Sequence, residues 1–296
     1  MRLAILHAVS DEESISASRM IPSDNEQGDE AVKLRVAQNI ASPGFRELCG
    51  PRTIAYDTAR YPLRERLVDC MIAEGQLPQY DPGDFLAYLH TSGLLGPDFK
   101  PSSSSKHFKR ELSKSITQHP AHIAFLDAYR DFIHTFVGPL VLEFMPDTTE
   151  LVYQSEPCIR IHPPSVNNLG KPHRDRDYRH QAGEVNFWLP LVHVDGPNSL
   201  WVESFPGRGD LKPLCLQYGQ VHCFYGNGCL HKTVANSSEI SRVSLDFRIS
   251  PEPVFDPDPD ISRQSNGRQM FFIGGYYEKC FLRDGRFTET KLERGS

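Results

Sequence analysis

Arg242-Val243-Ser244-Leu245-Asp246-Phe247-Arg248-Ile249 reads as two interleaved lists. Successive side chains of a strand point to opposite faces, so Val243, Leu245, Phe247 and Ile249 share one face and Arg242, Ser244, Asp246 and Arg248 the other. Two further stretches repeat the pattern. Val185, Phe187, Leu189 and Leu191 alternate with Glu184, Asn186, Trp188 and Pro190, and Ile159 and Ile161 alternate with Arg160 and His162. In an ordinary sandwich the polar lists face water. The other solution is a small barrel whose apolar outer wall is covered by helices and whose inside holds a polar ligand site. A helical first half is available as that cover, which favours the barrel.

Outward from these stretches, residues 151–249 carry short β-type runs separated by Gly, Pro and Asn: Tyr153 to His162, Glu184 to Val194, Ser199 to Glu203, Gln220 to Tyr225, His231 to Ala235 and Arg242 to Ile249. Short strands at such spacing mean a sandwich or barrel. Upstream the texture is helical, most clearly from Ala121 to Leu142, with apolar residues at three- and four-residue intervals. Residues 10–31 read as a polar surface loop, 251–260 as a stiff acidic connector, and the tail from Met270 as one further strand. The fold class is α+β, mainly β. The chain is read as one domain over 1–296: residues 1–149 form helical cover and substrate-side elements, 150–250 the β core, and 251–296 the connector and last strand.

Composition excludes several functions. The 296 residues carry 32 Lys plus Arg against 38 Asp plus Glu, a net charge of −6, which argues against a nucleic-acid surface. No apolar run approaches the ~20 residues of a membrane span. Seven cysteines without a CxxC pair argue against a disulfide scaffold or a thiolate zinc site. The start MRLAILHAV is too short an apolar stretch for a secretion signal, so a cytoplasmic location is expected. Asn236-Ser237-Ser238 and Arg208-Gly209-Asp210 match a glycosylation sequon and an adhesion tripeptide, both common by chance. The expected partner is a small-molecule substrate, with no nucleic acid and no membrane, and the chain is expected as a monomer or homodimer.

His173-Arg174-Asp175 is an HxD tripeptide, and on an extended segment its imidazole and carboxylate converge on one ion. Asp177 is a second carboxylate in reach, and His193-Val194-Asp195 is a second HxD. What favours His173 and Asp175 is His231, 56 residues beyond Asp175, far enough for intervening strands. Two histidines and one carboxylate leave three coordination positions open, a pattern suited to non-haem Fe(II) and O2. Arg242 follows His231 by eleven residues, across a turn-like Asn236 to Glu239, and reads as its neighbour in a hairpin. Its planar fork matches a carboxylate, and Ser244 on the same face adds a donor. Together they form a receptor for the distal carboxylate of a short diacid that chelates the metal at its other end, which describes 2-oxoglutarate. Asn186 and Trp188 share the inward parity and are candidates for contact with this co-substrate. Arg160, His162 and Tyr178 are candidates for the substrate side. Asp246 and Arg248 read as a structural ion pair at the barrel end.

With its HxD…H…RxS order, the sequence resembles the Fe(II)- and 2-oxoglutarate-dependent oxygenases. More narrowly, PHRDRDYRHQAGEVNFWLPL, NSLWVESFPGRGD and FYGNGCLHKTV resemble the streptomycin-biosynthesis-type members related to the phytanoyl-CoA hydroxylase group. The resemblance covers about residues 150–250. It implies a double-stranded β-helix (jelly roll) flanked by N-terminal helices, with iron on His173, Asp175 and His231 and the 2-oxoglutarate carboxylate on Arg242 and Ser244. It also implies oxidation of a C–H bond of a small polar metabolite in secondary metabolism, with release of succinate and CO2. Asp175 stands where the family's halogenases carry a small residue, which disfavours halogenation. A cupin-type metalloenzyme without 2-oxoglutarate and a non-catalytic jelly-roll binding module are the alternatives.

Overall fold

The computed structural model describes residues 24–73, 119–162, 164, 171–262 and 270–289. Its largest sheet holds, in spatial order, β1 (Arg52–Ala55), β7 (Gln220–Phe224), β4 (Val185–Pro190), β9 (Arg242–Pro251), β2 (Glu150–Gln154), β10 (Tyr277–Arg283) and β11 (Arg286–Thr288). β3 (Cys158–His162) pairs with the first half of β9, and β2 with its last residues. The expected run Tyr153 to His162 is therefore broken over residues 155–157, where Pro157 has no N–H to offer the ladder. A second sheet orders β6 (Lys212–Pro213), β5 (Trp201–Val202) and β8 (His231–Lys232). Strands that follow one another in the chain alternate between the two sheets, as in a double-stranded β-helix: β4 to β5, β6 to β7, β7 to β8 and β8 to β9.

That alternation corrects one expectation. His231 and Arg242 are not partners in a hairpin: β8 pairs with β5, whereas β9 pairs with β3, β4 and β2. The linker crosses from one sheet to the other, so the two side chains approach the interior from opposite walls.

The apolar lists form the outer wall of the large sheet. Register puts Phe187 opposite Phe247 and Leu189 opposite Leu245, and the two phenyl rings stack at 5.4 Å. Against them pack Tyr129 and Phe132 of the helix α4 (Pro120–Phe132), with Tyr129 5.2 Å from Phe247. Burying such rings is the largest stabilising contribution available here: truncating one to Ala in a filled core costs about 3–5 kcal/mol. A smaller apolar cluster of Trp188, Val192, Val194, Leu200, Leu216 and Phe224 fills the space between the sheets.

The expected helix over 121–142 is present and continues to Phe144, with a π turn at Ile133–Val137 before α5 (Gly138–Phe144). Pro139 explains the turn, since it has no N–H and its ring would press on the carbonyl four residues back. Gly138 instead donates to Ile133. A Cβ on Gly138 would sit 2.4 Å from the Phe287 ring, so glycine is what lets β11 lie against the helix.

Three boundaries differ from expectation. A helix begins at Asp24, inside the stretch read as a loop; the remainder of that stretch lies outside the described residues. β1 stands in the half read as helical. The tail forms a hairpin beginning at Tyr277 rather than Met270, turned by Asp284-Gly285 with positive φ at both positions, the geometry favoured in two-residue hairpins. Among the described residues no helix is long and apolar enough to cross a membrane.

Candidate metal centre

His173 and His231 face each other as an isolated antiparallel bridge, exchanging backbone bonds of 3.1 and 3.0 Å. The pairing brings the two imidazoles together, with ring centroids 4.3 Å apart. Each Nδ1 lies 3.0 Å from a carbonyl two residues upstream, Lys171 and Cys229 respectively. A ring nitrogen facing a carbonyl carries the proton, which leaves both Nε2 atoms as lone-pair donors. Asp175 is anchored by its own N–H on the Gly226 carbonyl, and its Oδ1 lies 3.4 Å from His231 Nε2. One ligand atom from each of the three residues falls within 4.8 Å of the others.

The local backbone differs from the expected extended segment. Asp175 opens a short 3-10 helix to Tyr178. Asp177, the other carboxylate in reach, is spent on capping that turn by accepting from the Arg174 N–H at 2.8 Å. The second HxD takes no part: His193 and Asp195 are exposed on the connection after β4.

The remaining carboxylate oxygen of Asp175 is held by two donors from the large sheet, Asn186 Nδ2 at 2.6 Å and Arg248 Nε at 2.8 Å. Burial opposes ionisation of Asp175, yet Arg248 and His231 hold its pKa well below the usual carboxylate range. Burial and the neighbouring His231 lower the pKa of His173. Asp175 is thus held ionised and His173 is biased toward its neutral form, the states in which a carboxylate and an imidazole ligate a divalent cation.

Across the interior lies the second feature. Arg242 is 4% exposed, and among the described residues its Nε and Nη1 have no hydrogen-bond partner; Ser244 Oγ, fully buried, has none there either. Burial, with Arg160 nearby, lowers the guanidinium to about 10, so it remains charged at neutral pH. The ring of Trp188 lies 5.8 Å from Arg242 Cζ. Orphaned donors on a buried cation fit an anionic ligand, and the triad fits its metal.

The other expected residues are placed as follows. Asn186 has its amide on Asp175 rather than beside Arg242. Trp188 is almost fully buried, sharing the inter-sheet cluster while touching the Arg242 side. Arg160 is half-exposed and its fork is taken up by Asp246, at 2.7 and 3.4 Å. Tyr178 is exposed, with its ring edge-on to His173 at 4.8 Å. His162, expected on the substrate side, is wholly buried and stands opposite Arg242. Arg248, read as the partner of Asp246, has its closest contact to Asp175 and lies 3.8 Å from Asp246; its inward parity was the available signal.

The two chance motifs have structural roles. Both oxygens of Asp210 accept from Ser204. Asn236 is buried, donating to the carbonyls of His162 and Ile240.

No family model matches the chain. It is 35% identical over 178 residues to the streptomycin biosynthesis protein StrG of Streptomyces griseus, covering 60% of this chain and 83% of that protein. Among solved structures it is similar to the alpha-ketoglutarate-dependent epimerase SnoN from nogalamycin biosynthesis (11% identity, 87% of this chain and 98% of that one, TM-score 0.42). Others are a Pseudomonas putida prolyl-4-hydroxylase (15%, 74% and 93%, 0.38) and HygX of Streptomyces hygroscopicus with nickel and 2-oxoglutarate bound (11%, 69% and 84%, 0.31). With its HxD…H triad set in a double-stranded β-helix, the chain belongs to the family of the streptomycin biosynthesis protein StrG.

Proposed function

We propose that this chain hydroxylates, or otherwise oxidises, a C–H bond of a small polar metabolite, using Fe(II) on His173, Asp175 and His231 and converting 2-oxoglutarate to succinate and CO2. The observation that carries the reading is Arg242: a buried cation with two guanidinium nitrogens that have no hydrogen-bond partner among the described residues. Taking such a group out of water costs several kcal/mol unless an anion is supplied. A cupin-type site without a diacid co-substrate has no use for it.

The chain's own residues divide the work. The carbonyls of Lys171 and Cys229 fix the imidazoles, and Asn186 and Arg248 fix the carboxylate. Arg242 and Ser244 grip the distal carboxylate, and Trp188 and the apolar cluster behind it exclude water. Bound together, the metal and co-substrate supply, with O2, the oxidising power that side chains lack. The exposed Tyr178 ring beside His173 supports a role for Tyr178 in meeting the substrate. The name of the StrG relative supports a place in secondary metabolism, with a sugar-like, cyclitol-like or amino-acid-derived substrate. The substrate is a small molecule, without nucleic acid or membrane.

The test is anaerobic titration of Fe(II)-loaded protein with 2-oxoglutarate, followed by the weak visible charge-transfer band. The parent should develop the band, and Arg242→Ala should need about ten to a hundred times more co-substrate. A variant that titrates like the parent removes Arg242 from the reading, and a parent without a band removes the co-substrate.

A further inference from the structure

We infer that His162 is a third arm of the anion receptor, donating an imidazole N–H to the distal carboxylate of the 2-oxo diacid beside Arg242 and Ser244. This deepens the reading above and rests on it.

His162 has no exposed surface, and among the described residues neither of its ring nitrogens has a hydrogen-bond partner. A buried imidazole left so bears the desolvation penalty of an unmade hydrogen bond, which calls for a ligand. Its position says which ligand. His162 stands directly opposite Arg242 in the β3–β9 ladder, with Ser244 on the diagonal, so their side chains share one face. Asn236 holds this end of β3 in place, donating to the His162 carbonyl at 3.0 Å and to the Ile240 carbonyl at 2.8 Å. The orphaned polar atoms of these three residues thus belong to neighbouring positions on one face of the β3–β9 ladder.

Donor counting agrees. An ionised carboxylate offers about four lone-pair sites. The unspent donors are two guanidinium nitrogens, the Ser244 hydroxyl and one imidazole N–H. Burial and the adjacent Arg242 drive the His162 pKa down to about 3, so the ring is an uncharged donor near neutrality and adds no second cation beside the guanidinium.

The test is calorimetric titration of Mn(II)-loaded protein with 2-oxoglutarate and with 2-oxobutyrate, which shares the chelating head but lacks the distal carboxylate. His162→Phe, which keeps the ring and removes the N–H, should weaken 2-oxoglutarate about ten- to a hundred-fold and leave 2-oxobutyrate within about two-fold. His162→Gln, which keeps a donor, should recover part of the loss. Thermal melting checks the fold: the apo Phe variant should melt no lower than the parent, since an orphaned polar ring is replaced by an apolar one. If Arg242→Ala weakens 2-oxoglutarate while His162→Phe does not, the third arm is wrong and the receptor stands. If His162→Phe weakens both ligands equally, the residue shapes the pocket and the inference is overturned. If the parent binds no 2-oxoglutarate, the underlying reading fails instead.

Discussion

Arg248 Nε lies 2.8 Å from Asp175 Oδ2, while the other oxygen of that carboxylate is the one nearest His231. A strand of the large sheet therefore dictates how a residue on a distant 3-10 turn presents itself to a metal. Groups that orient a ligand typically matter ten- to a hundred-fold in metal affinity. Arg248→Leu should lower Co(II) affinity by about that factor. It should also destabilise the apo fold by about 3–5 kcal/mol, because Asp175 and Glu184 lose a buried counter-charge. Spectroscopic Co(II) titration and urea unfolding read the two effects separately, and unchanged metal affinity would remove Arg248 from the support of Asp175.

Gly226 offers a gentler perturbation of the same support. A Cβ there would meet the Asn186 side chain at 2.5 Å, pushing the amide off Asp175. Gly226→Ala should weaken metal binding several-fold, and Asn186→Ala should erase the difference between Gly and Ala at 226. Independent losses in the double variant would mean that the clash is relieved some other way.

Acid should unfold the protein through its uncharged histidines. Burial and Arg242 lower His162 to about 3, and burial lowers His222 to about 4, against an ordinary 6.5. Between those values and 6.5 the unfolded chain binds protons that the fold refuses, so stability is fully present above about 6.5 and falls as pH drops through the window. The slope is about 1.4 kcal/mol per pH unit for each histidine. Urea midpoints measured from pH 7.5 to 4.5 should fall less steeply for His162→Phe. Parallel curves would show that His162 is not held uncharged.

Much of this was legible in the sequence because alternation leaves a record. Each of the three lists names an outer and an inner wall, and the register keeps those lists in step across β3, β9 and β4. The triad was legible from spacing. β1 and β6 were not, since runs of two to four residues carry no periodicity. The His231–Arg242 hairpin was misread because adjacency in sequence is the usual guide to pairing, and this fold sends successive strands to opposite sheets. Arg248 was assigned to Asp246, two residues away on the same strand; contact with Asp175 depends on a turn that no local pattern announces.

Ser244→Ala should cost less than Arg242→Ala. A hydroxyl contributes one donor, so the loss in 2-oxoglutarate affinity should be about three- to ten-fold. Arg242→Lys should behave more like Ala than like Arg, because an ammonium cannot reproduce the planar fork. Calorimetry on Mn(II)-loaded protein orders the three variants, and a Lys variant equal to the parent would show that charge alone suffices.

β9 runs unbroken from Arg242 to Pro251, with Arg242 and Ser244, the proposed carboxylate receptor, near one end and Arg248 bracing Asp175 further along. The two roles therefore hang on one continuous piece of backbone. A one-residue slip would turn every inward side chain outward, so their spacing cannot drift by small steps, and changing it would require a bulge in the strand.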